Sequence, residues 1–252
     1  MVVVPHEEGC GDTCGYASTR LPGKPLAQIA GKPLIQWVYE RASTSTLKDD
    51  ILIATDDVRI RDAVLSFGAS VVMTSPDCAS GTDRVYEAIK GRDADIVINL
   101  QGDEPLIRGD MIDALFSALE GESLDMATLC VPLSEKGELE SPHIVKVVID
   151  QKGFALYFSR SPIPFAQKRT NAAIYKHVGI YGFSRFFLER FVSLPRGRLE
   201  ETESLEQLRA LEAGYKIKVL LVDYDGISVD TPEDLERAKL RLSDAGKNRS
   251  EG

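Results

Sequence analysis

The chain has few cysteines, and their arrangement does not indicate a disulfide framework. Four cysteines among 252 residues are too few to staple a scaffold of this length. His6, Cys10 and Cys14 are separated by three residues each, but no Cys-x-x-Cys pair accompanies them, so the spacing does not favour a zinc site. Cys130 lies in an apolar, strand-like run and is expected to belong to the core.

The chain also lacks long apolar runs and an excess of positive charge. No apolar stretch approaches the roughly 20 residues that a membrane-spanning helix needs, and residues 1–15 lack the basic start and apolar core of a secretion signal. The net charge of −9 argues against nucleic acid or an anionic membrane as the main partner. A local cluster of Arg and Lys would still accommodate an anionic substrate. We therefore expect a cytoplasmic protein.

The most informative stretch runs from residue 96 to residue 107. Residues 96–98 form a short β-branched run that predicts a central strand of a parallel sheet. A glycine and a proline then break the chain, so Gln101, Asp103 and Glu104 follow the carboxyl end of the strand, where open α/β sheets bind ligands. An amide and two carboxylates on a tight turn suit a hydrated Mg²⁺ that carries a phosphate ester. The alternative is a solvated acidic turn.

The other apolar runs alternate between strand and helix patterns, which predicts an α/β fold with a doubly wound, mostly parallel sheet. No internal repeat or linker separates independent domains, so we expect a single domain. The expected strands are 2–5 (cut short by Pro5), 51–54, 70–73, 96–98, 126–131, 145–149, 154–158, 177–183 and 217–222. The expected helices are 33–41, 58–67, 85–89, 111–119, 184–194, 203–213 and 231–243, with a loop at 195–199.

Residues 16–26 combine hydroxyls and cations in a short span. Two prolines and a glycine keep this stretch from forming a helix, while Ser18, Arg20 and Lys24 supply polar and charged groups. Such a loop after a first strand can wrap a triphosphate with backbone N–H groups and point charges. It is not a P-loop, because the Gly-x4-Gly-Lys-Ser/Thr spacing is absent. An ordinary proline-rich surface loop is the alternative.

The sequence Tyr-x-Ser-Thr-Arg-Leu-Pro-Gly-Lys-Pro-Leu at 16–26 resembles the nucleotide loop of the 3-deoxy-manno-octulosonate (Kdo) cytidylyltransferases, the CMP-Kdo synthetase family. Ser-Gly-Thr-Asp-Arg at 80–84 and Gln-Gly-Asp-Glu-Pro at 101–105 continue the likeness. It extends to about residue 241 in the family's order, through segments 31–35, 53–56, 145–148, 155–160, 177–182, 205–209 and 229–235.

The resemblance implies a fold, a division of the chain and a reaction. The fold is Rossmann-like, of the nucleotide-diphospho-sugar transferase type, with a smaller mixed-sheet insertion that forms the sugar pocket and a homodimer surface. Residues from about 1–132 would bind CTP, 133–222 the sugar, and 223–252 would supply a metal-ligand turn and a final helix. The reaction transfers CMP from CTP to Kdo with Mg²⁺ as cofactor, which yields CMP-Kdo and pyrophosphate for lipopolysaccharide biosynthesis.

The resemblance also implies roles for particular residues. Lys24, Asp103 and Asp230 would be catalytic, and the two aspartates would bind the metal, which can bridge a phosphate and the attacking oxygen. The CTP-binding set is Ser18, Arg20, Lys24, Thr55, Asp56, Ser80, Gly81, Thr82 and Gln101. The sugar-binding set is Gln101, Arg160, His177, Tyr181, Glu206 and Gln207.

Several of these residues have a structural alternative. Ser80 and Thr82 lie at a helix start, where hydroxyls commonly cap the backbone. A histidine inside a strand, such as His177, is often a satisfied core residue. Glu206 can form an i,i+3 helical pair with Arg209, which is worth only a few tenths of a kcal/mol.

One segment departs from the family pattern. The family's loop begins Pro-Ala-Arg-Tyr directly after the first strand, and its arginine is expected to contact the CTP phosphates. Here Asp-Thr-Cys-Gly at 12–15 precedes Tyr16, so the loop lacks the arginine and is about ten residues longer. A real insertion and a sequence error both remain open.

Three other functions are compatible with parts of this sequence. The first is an impaired or inactive paralogue that only binds nucleotide or sugar. The second is a cytidylyltransferase for a related sugar acid, such as 8-amino-Kdo. The third is a glycosyltransferase with an Asp-x-Asp metal motif, which is disfavoured because Asp93-x-Asp95 precedes the metal-site strand rather than following it.

Overall fold

The structure is a computed structural model that describes residues 1–6, 21–122, 124–133, 136–167 and 173–247. Two members of the predicted CTP-binding set, Ser18 and Arg20, lie outside the described residues. So do Cys10 and Cys14, and with them the spacing considered for zinc. Among the helices that the structure describes, none is long and apolar enough to cross a membrane.

The strands are β1 (Val2–His6), β2 (Gln28–Ile29), β3 (Lys32–Pro33), β4 (Ile51–Thr55), β5 (Ser70–Met73), β6 (Ile96–Leu100), β7 (Met126–Pro132), β8 (Lys146–Ile149), β9 (Ala155–Ser159), β10 (Tyr175–Ser184) and β11 (Ile217–Leu221). The helices are α1 (Leu34–Ala42), α2 (Val58–Ser66), α3 (Gly81–Ile89), α4 (Gly109–Glu122), α5 (Lys136–Glu140), α6 (Arg185–Val192), α7 (Arg198–Glu203), α8 (Leu208–Glu212) and α9 (Pro232–Lys247). A short 3-10 turn covers Lys24–Leu26. The predicted α/β class with a mostly parallel, Rossmann-like arrangement is confirmed.

The chain forms two compact units. The first comprises Met1–Ala94, Ile98–Asp113 and Asp225–Gly252, and the second comprises Asp95–Val97 and Ala114–Tyr224. The described residues that are predicted to bind CTP and metal fall in the first unit, and most of those predicted to bind sugar fall in the second. The division into CTP-binding, sugar-binding and metal-ligand portions assigns a ligand to each portion, and this division stays a prediction.

The first unit is built on parallel strands. β4 pairs in parallel with β1 on one side and β5 on the other, and β1 also pairs in parallel with β6 through Val2 and Val3. Every residue of β4 is buried, as expected for an apolar, β-branched strand that helices cover on both faces. The carboxyl ends of these strands therefore lie along one edge of the sheet, which is where open α/β sheets bind ligands.

The expectation that Pro5 ends the first strand is wrong. β1 continues to His6, with Pro5 opposite Ala54 and His6 opposite Thr55. The register of β1 with β6 includes only Val2 and Val3, so the missing N–H of Pro5 interrupts no pairing on that side. Proline is tolerated where a strand is paired on one side only.

The second unit contains a mixed sheet. β10 is antiparallel to β7, β11 is parallel to β7, and β8 is antiparallel to both β9 and β10. β8 and β9 form the predicted hairpin around Asp150, whose carboxylate accepts hydrogen bonds from the N–H groups of Lys152 and Phe154 at 2.8 Å each. This sheet positions the residues predicted to contact the sugar.

The predicted loop at 195–199 and helix at 203–213 are wrong in detail. Two short helices, α7 and α8, occupy this region, and Ser204 separates them with a left-handed φ of 52°. A buried ion pair joins them, in which Arg209 Nε donates to Glu200 Oε2 at 2.8 Å. Ser204 is the C-cap of α7, and its N–H donates to the carbonyl of Glu200. Glycine is the usual residue at a left-handed helix end, so a serine there gives no sequence sign of the break.

Candidate active site

Asp103 lies on a turn that packs closely against the end of β1. A Cβ at the neighbouring Gly102 would lie 3.4 Å from the carbonyl oxygen of Pro5 and from Ile35 Cδ1, in van der Waals contact with both. The carbonyl of Asp103 accepts a hydrogen bond from the N–H of Val229 at 2.9 Å. The backbone thus ties the turn after β6 to the segment that carries Asp230.

Asp230 immediately precedes a strongly capped helix start. Thr231 Oγ1 accepts from the N–H of Asp234 at 3.2 Å, and Asp234 Oδ2 accepts from the N–H of Thr231 at 3.0 Å. This reciprocal arrangement is a capping box with Asp in the acidic position. Because Thr231 and Asp234 satisfy the cap, the carboxylate of Asp230 is left to interact elsewhere.

Lys24 joins the two acidic turns. Its Nζ donates to Asp103 Oδ2 at 2.8 Å and to Asp230 Oδ1 at 3.1 Å. The side chains of Lys24, Asp103 and Asp230 are 15%, 21% and 41% exposed. Burial alone would lower the pKa of Lys24, but the charges and hydrogen bonds of the two aspartates outweigh it and raise the pKa above its ordinary value. The three residues predicted to be catalytic therefore converge.

An apolar cluster fixes the segments on which Lys24 and Asp230 lie. Trp37 contributes to it and also donates from Nε1 to the carbonyl of Ile29 at 2.8 Å, which anchors the small hairpin of β2 and β3. Each buried aliphatic or aromatic side chain contributes about 1.5–3 kcal/mol. The buried members are Ile29, Leu34, Val229, Ala238 and Leu242, and the partly buried ones are Leu21, Trp37, Leu106 and Leu235.

The start of α3 is linked to the end of β6 by a chain of polar side chains. Ser80 accepts a hydrogen bond from the N–H of Asp83 at 3.2 Å. Ser80 therefore has the helix-capping role that was given as its structural alternative. Thr82 Oγ1 accepts from Asn99 Nδ2 at 3.1 Å, and Asn99 Oδ1 accepts from Gln101 Nε2 at 3.3 Å. The residues predicted to contact CTP at the helix start, 80–82, are thereby connected to Gln101.

Asn99 is a site residue that the sequence analysis missed. Asn99 is 1% exposed. Its amide nitrogen and its amide oxygen each form a hydrogen bond with a residue of the predicted CTP-binding set. The available signal was a lone amide inside the β-branched run of β6. A buried amide is tolerated only where its donors and acceptor are satisfied.

Thr55 and Asp56 lie at the carboxyl end of β4. Thr55 Oγ1 accepts from the N–H of Asp57 at 3.1 Å. Asp56 Oδ2 accepts from Nη2 of the buried Arg84 at 2.9 Å, and Arg84 also donates to Thr74. Asp56 is thus part of an internal ion pair, and loss of Arg84 would leave a largely buried carboxylate without its cation, which is destabilising.

In the second unit, main-chain carbonyls hold the guanidinium of Arg160. It donates from Nε to Glu203, from Nη1 to Pro142 and from Nη2 to Ser204, at 2.9, 3.1 and 3.4 Å. The buried Lys146 donates to the carbonyl of Arg160 and fixes its main chain. No sequence pattern marks Lys146, whose pKa is lowered by burial and by the charge of Arg160.

His177 is held as a neutral ring. The hydroxyl of Thr128 donates to the carbonyl of Ile180 at 2.7 Å, so its oxygen accepts from His177 Nε2, 2.8 Å away. This arrangement leaves Nδ1 of the ring as an acceptor. Burial lowers the pKa of His177 to about 3, so the ring carries no charge near neutral pH.

Tyr181 lies beside His177, with ring centroids 5.3 Å apart. Burial and the charge of Glu206 raise the pKa of its hydroxyl. Glu206 lies 3.7 Å from Arg209, as the i,i+3 alternative predicted. Gln207 is 3% exposed, and its Nε2 has no partner among the described residues.

Among the residues that the structure describes, no multidentate protein cage for a metal is present. Within the described ranges, no three or more His, Cys, Asp and Glu side chains are grouped so that they could hold an ion. The first unit instead brings two carboxylates to one point, and the second brings a histidine, a tyrosine and an arginine onto neighbouring elements.

Comparison with known proteins identifies the family. The family model described as cytidylyltransferase matches residues 16–217, which is more than half of the chain. This chain belongs to the cytidylyltransferase family. It is therefore a nucleotidyltransferase, and the enzyme class predicted from the sequence is confirmed.

Relatives of this cytidylyltransferase carry two substrate names. The chain is 54% identical over 233 residues to the 8-amino-3,8-dideoxy-manno-octulosonate cytidylyltransferase of Shewanella pealeana, covering 90% of this chain and 95% of the relative. It is 51% identical over 242 residues to the 3-deoxy-manno-octulosonate cytidylyltransferase of Thermodesulfovibrio yellowstonii, with the same shares covered. Both the Kdo prediction and its 8-amino alternative fit these relatives.

Two solved structures resemble this cytidylyltransferase. CMP:2-keto-3-deoxy-manno-octonic acid synthetase, solved in complex with CTP, is 43% identical with a TM-score of 0.90, covering 97% of this chain and 98% of that one. A cytidylyltransferase from Leptospira borgpetersenii is 19% identical with a TM-score of 0.59, covering 94% and 84%. The second comparison shows a shared fold alone.

We expect Asn99→Leu to lower kcat/KM for CTP by roughly tenfold, because Thr82 and Gln101 both lose a buried hydrogen-bond partner. The measurement is steady-state kinetics combined with a double-mutant cycle against Gln101→Met. If Asn99 acts by positioning Gln101, the two losses are less than additive. Fully additive losses would mean that Asn99 does not act through Gln101.

Proposed function

We propose that this cytidylyltransferase transfers CMP from CTP to Kdo, which yields CMP-Kdo and pyrophosphate for lipopolysaccharide biosynthesis. The observation that supports this most strongly is the convergence of Asp103 and Asp230 on the ammonium of Lys24. Nucleotidyl transfer needs a cation site beside a phosphate-binding cation, and these three side chains supply the groups for both. The relatives named for Kdo and 8-amino-Kdo support a sugar acid as acceptor.

We propose that Mg²⁺ is the cofactor, held by Asp103 and Asp230. The chemistry of this donor set fits, because Mg²⁺ in nucleotide enzymes is commonly bound by one or two carboxylates together with substrate phosphates and water. A cage of three or more protein ligands is not required. When bound, the ion would neutralise the charge that develops on the α-phosphate.

The remaining residues would position the two substrates. The anomeric hydroxyl of the sugar acid attacks the α-phosphorus in line and pyrophosphate leaves, so the protein's task is alignment and charge neutralisation. Lys24 would hold the triphosphate, with the residues at the start of α3 on the cytosine. Arg160, whose guanidinium is already fixed by carbonyls, would hold the sugar carboxylate.

Neutral His177 would recognise a sugar hydroxyl. Its Nδ1 is an acceptor, since Nε2–H donates to Thr128. Tyr181, Glu206 and Gln207 would complete the sugar contacts. Nε2 of the buried Gln207 has no partner among the described residues, which supports a ligand partner for it. We also propose that this cytidylyltransferase forms a homodimer and is located in the cytoplasm.

The experiment measures pyrophosphate release by the purified protein with CTP, Mg²⁺ and either Kdo or 8-amino-Kdo. We expect Kdo to give the larger kcat/KM. A larger value for the 8-amino sugar would support the alternative substrate, since both sugars carry the same reacting hydroxyl. If neither sugar supports pyrophosphate release, the impaired paralogue is favoured.

We expect Asp230→Ala to raise the Mg²⁺ concentration needed for half-maximal turnover by roughly tenfold, since one of two charged ligands is lost. The melting temperature should fall by no more than about 2–4 °C, because the side chain is partly exposed. Asp225→Ala, which removes a surface partner of Arg241, is the matched control. A loss of stability with unchanged activity per folded molecule would make Asp230 a purely structural residue.

A further inference from the structure

Lys24 occupies both of the carboxylates that the proposed function gives to the metal. Its ammonium lies 2.8 Å from Asp103 and 3.1 Å from Asp230, which are 79 and 206 residues away in sequence. Two carboxylates that both lie within hydrogen-bonding distance of one nitrogen are close enough to repel each other strongly. The ammonium therefore does the electrostatic work that a bound cation would do.

We infer that Lys24 and Mg²⁺ compete for the Asp103–Asp230 pair, so that Lys24 is an internal counter-ion which must leave these carboxylates when the metal binds. This inference rests on the proposed metal-binding role of the same two residues. It assigns to Lys24 a second task besides holding phosphate, which is to keep the two acidic turns together in the protein without metal.

The charges determine the direction of the effect. The side chains of Lys24 and Asp103 are 15% and 21% exposed, so solvent screens their interactions only in part. An ammonium a few ångströms from the ligands repels a divalent ion, and two unit charges interact far more strongly there than in bulk water. The native protein should therefore bind Mg²⁺ weakly in the absence of nucleotide.

The same competition makes nucleotide and metal binding cooperative. A triphosphate offers Lys24 another anionic partner, and its departure removes the repulsion at the carboxylates. Binding of one ligand then increases the affinity for the other by the same factor, as thermodynamic linkage requires. Lys24 would thus couple the two ligands without any large movement of the fold.

The test is a Mg²⁺ titration without nucleotide, in which the melting temperature is measured at each Mg²⁺ concentration. Wild type is compared with Lys24→Met and with Lys239→Met, which removes a surface ion pair to Glu236 on α9. In EDTA, Lys24→Met should melt about 2–4 °C below wild type, because the carboxylates lose their counter-ion. Its Mg²⁺ midpoint should nevertheless be roughly tenfold lower than that of wild type, and Lys239→Met should match wild type in both respects.

The outcomes separate this inference from the proposed function. Equal Mg²⁺ midpoints for wild type and Lys24→Met would overturn the competition, and the metal site itself would still stand if Asp103→Asn abolished the response. The competition would also be refuted if the wild type released pyrophosphate but Mg²⁺ changed the melting temperature of neither the wild type nor any variant. Failure of the wild type to release pyrophosphate would instead refute the proposed function.

A second measurement uses the wild type alone and does not depend on the folding of a variant. Lys24 is acetylated with limiting acetic anhydride, without nucleotide, and the modification is quantified by peptide mass spectrometry. Added Mg²⁺ should increase acetylation of Lys24 relative to Lys239, because the amine is released from the carboxylates. Unchanged acetylation at Mg²⁺ concentrations that shift the melting temperature would overturn the inference.

Discussion

Asp103→Asn should lower turnover by roughly 100- to 1,000-fold, the range found when one preorganised electrostatic contact to a transition state is removed. The substitution keeps the size of the side chain but removes a unit charge from the metal pair. The carbonyl of Asp103 still accepts the hydrogen bond from Val229, so the turn itself should persist. Steady-state pyrophosphate release at saturating CTP, sugar acid and Mg²⁺ gives the loss in kcat.

The control for this prediction is Asp110→Asn. Asp110 is an exposed aspartate that pairs with Arg108 at 2.8 Å in the same unit, and its substitution should leave turnover within about twofold. Both variants should melt within about 2–4 °C of wild type. Near-normal pyrophosphate release by folded Asp103→Asn would exclude Asp103 as a metal ligand.

Replacing residues 6–15 by Ala-Arg should tighten CTP binding by roughly ten- to a hundredfold. The change restores the family's Pro-Ala-Arg-Tyr pattern before Tyr16 and introduces a cation where the native segment carries Glu7, Glu8 and Asp12. A charge-assisted hydrogen bond to phosphate is worth about 1.5–3 kcal/mol. The native protein should accordingly bind CTP weakly, and Lys24 would supply much of the remaining attraction.

The matched control for the loop is the same replacement with Ala-Ala, which shortens the chain equally without adding charge. Calorimetric titration with CTP and Mg²⁺ compares the three proteins. Equal tightening by both replacements would assign the effect to loop length. Equal and tight affinities for all three would mean that another residue performs the role of the arginine.

The acidic turn was predictable because local signals agreed. A β-branched run indicated β6, a glycine and a proline ended it, and parallel strands place such turns at the binding edge. The start of α9 was equally predictable from the sequence, since Thr231 and Asp234 form the expected capping box. In both cases the determining interactions lie within a few residues of one another.

Other features depend on contacts between distant residues. The sequence suggested phosphate as the partner of Lys24, whereas the structure pairs it with residues 79 and 206 positions away. In the sequence, Asn99 is only a polar residue inside an apolar strand. Its role follows from its hydrogen bonds with Thr82 and Gln101. The left-handed Ser204 ends α7 where a glycine is usual, so the sequence carries no residue that marks this break.

The most direct measurement of the central claim is a ³¹P NMR time course with the purified protein, CTP, Kdo and MgCl₂. The proposed reaction predicts that the three CTP resonances disappear while one phosphodiester signal of CMP-Kdo and the signal of pyrophosphate grow in equal molar amounts. Persistent CTP, or its conversion to CDP and inorganic phosphate, would contradict nucleotidyl transfer to the sugar acid.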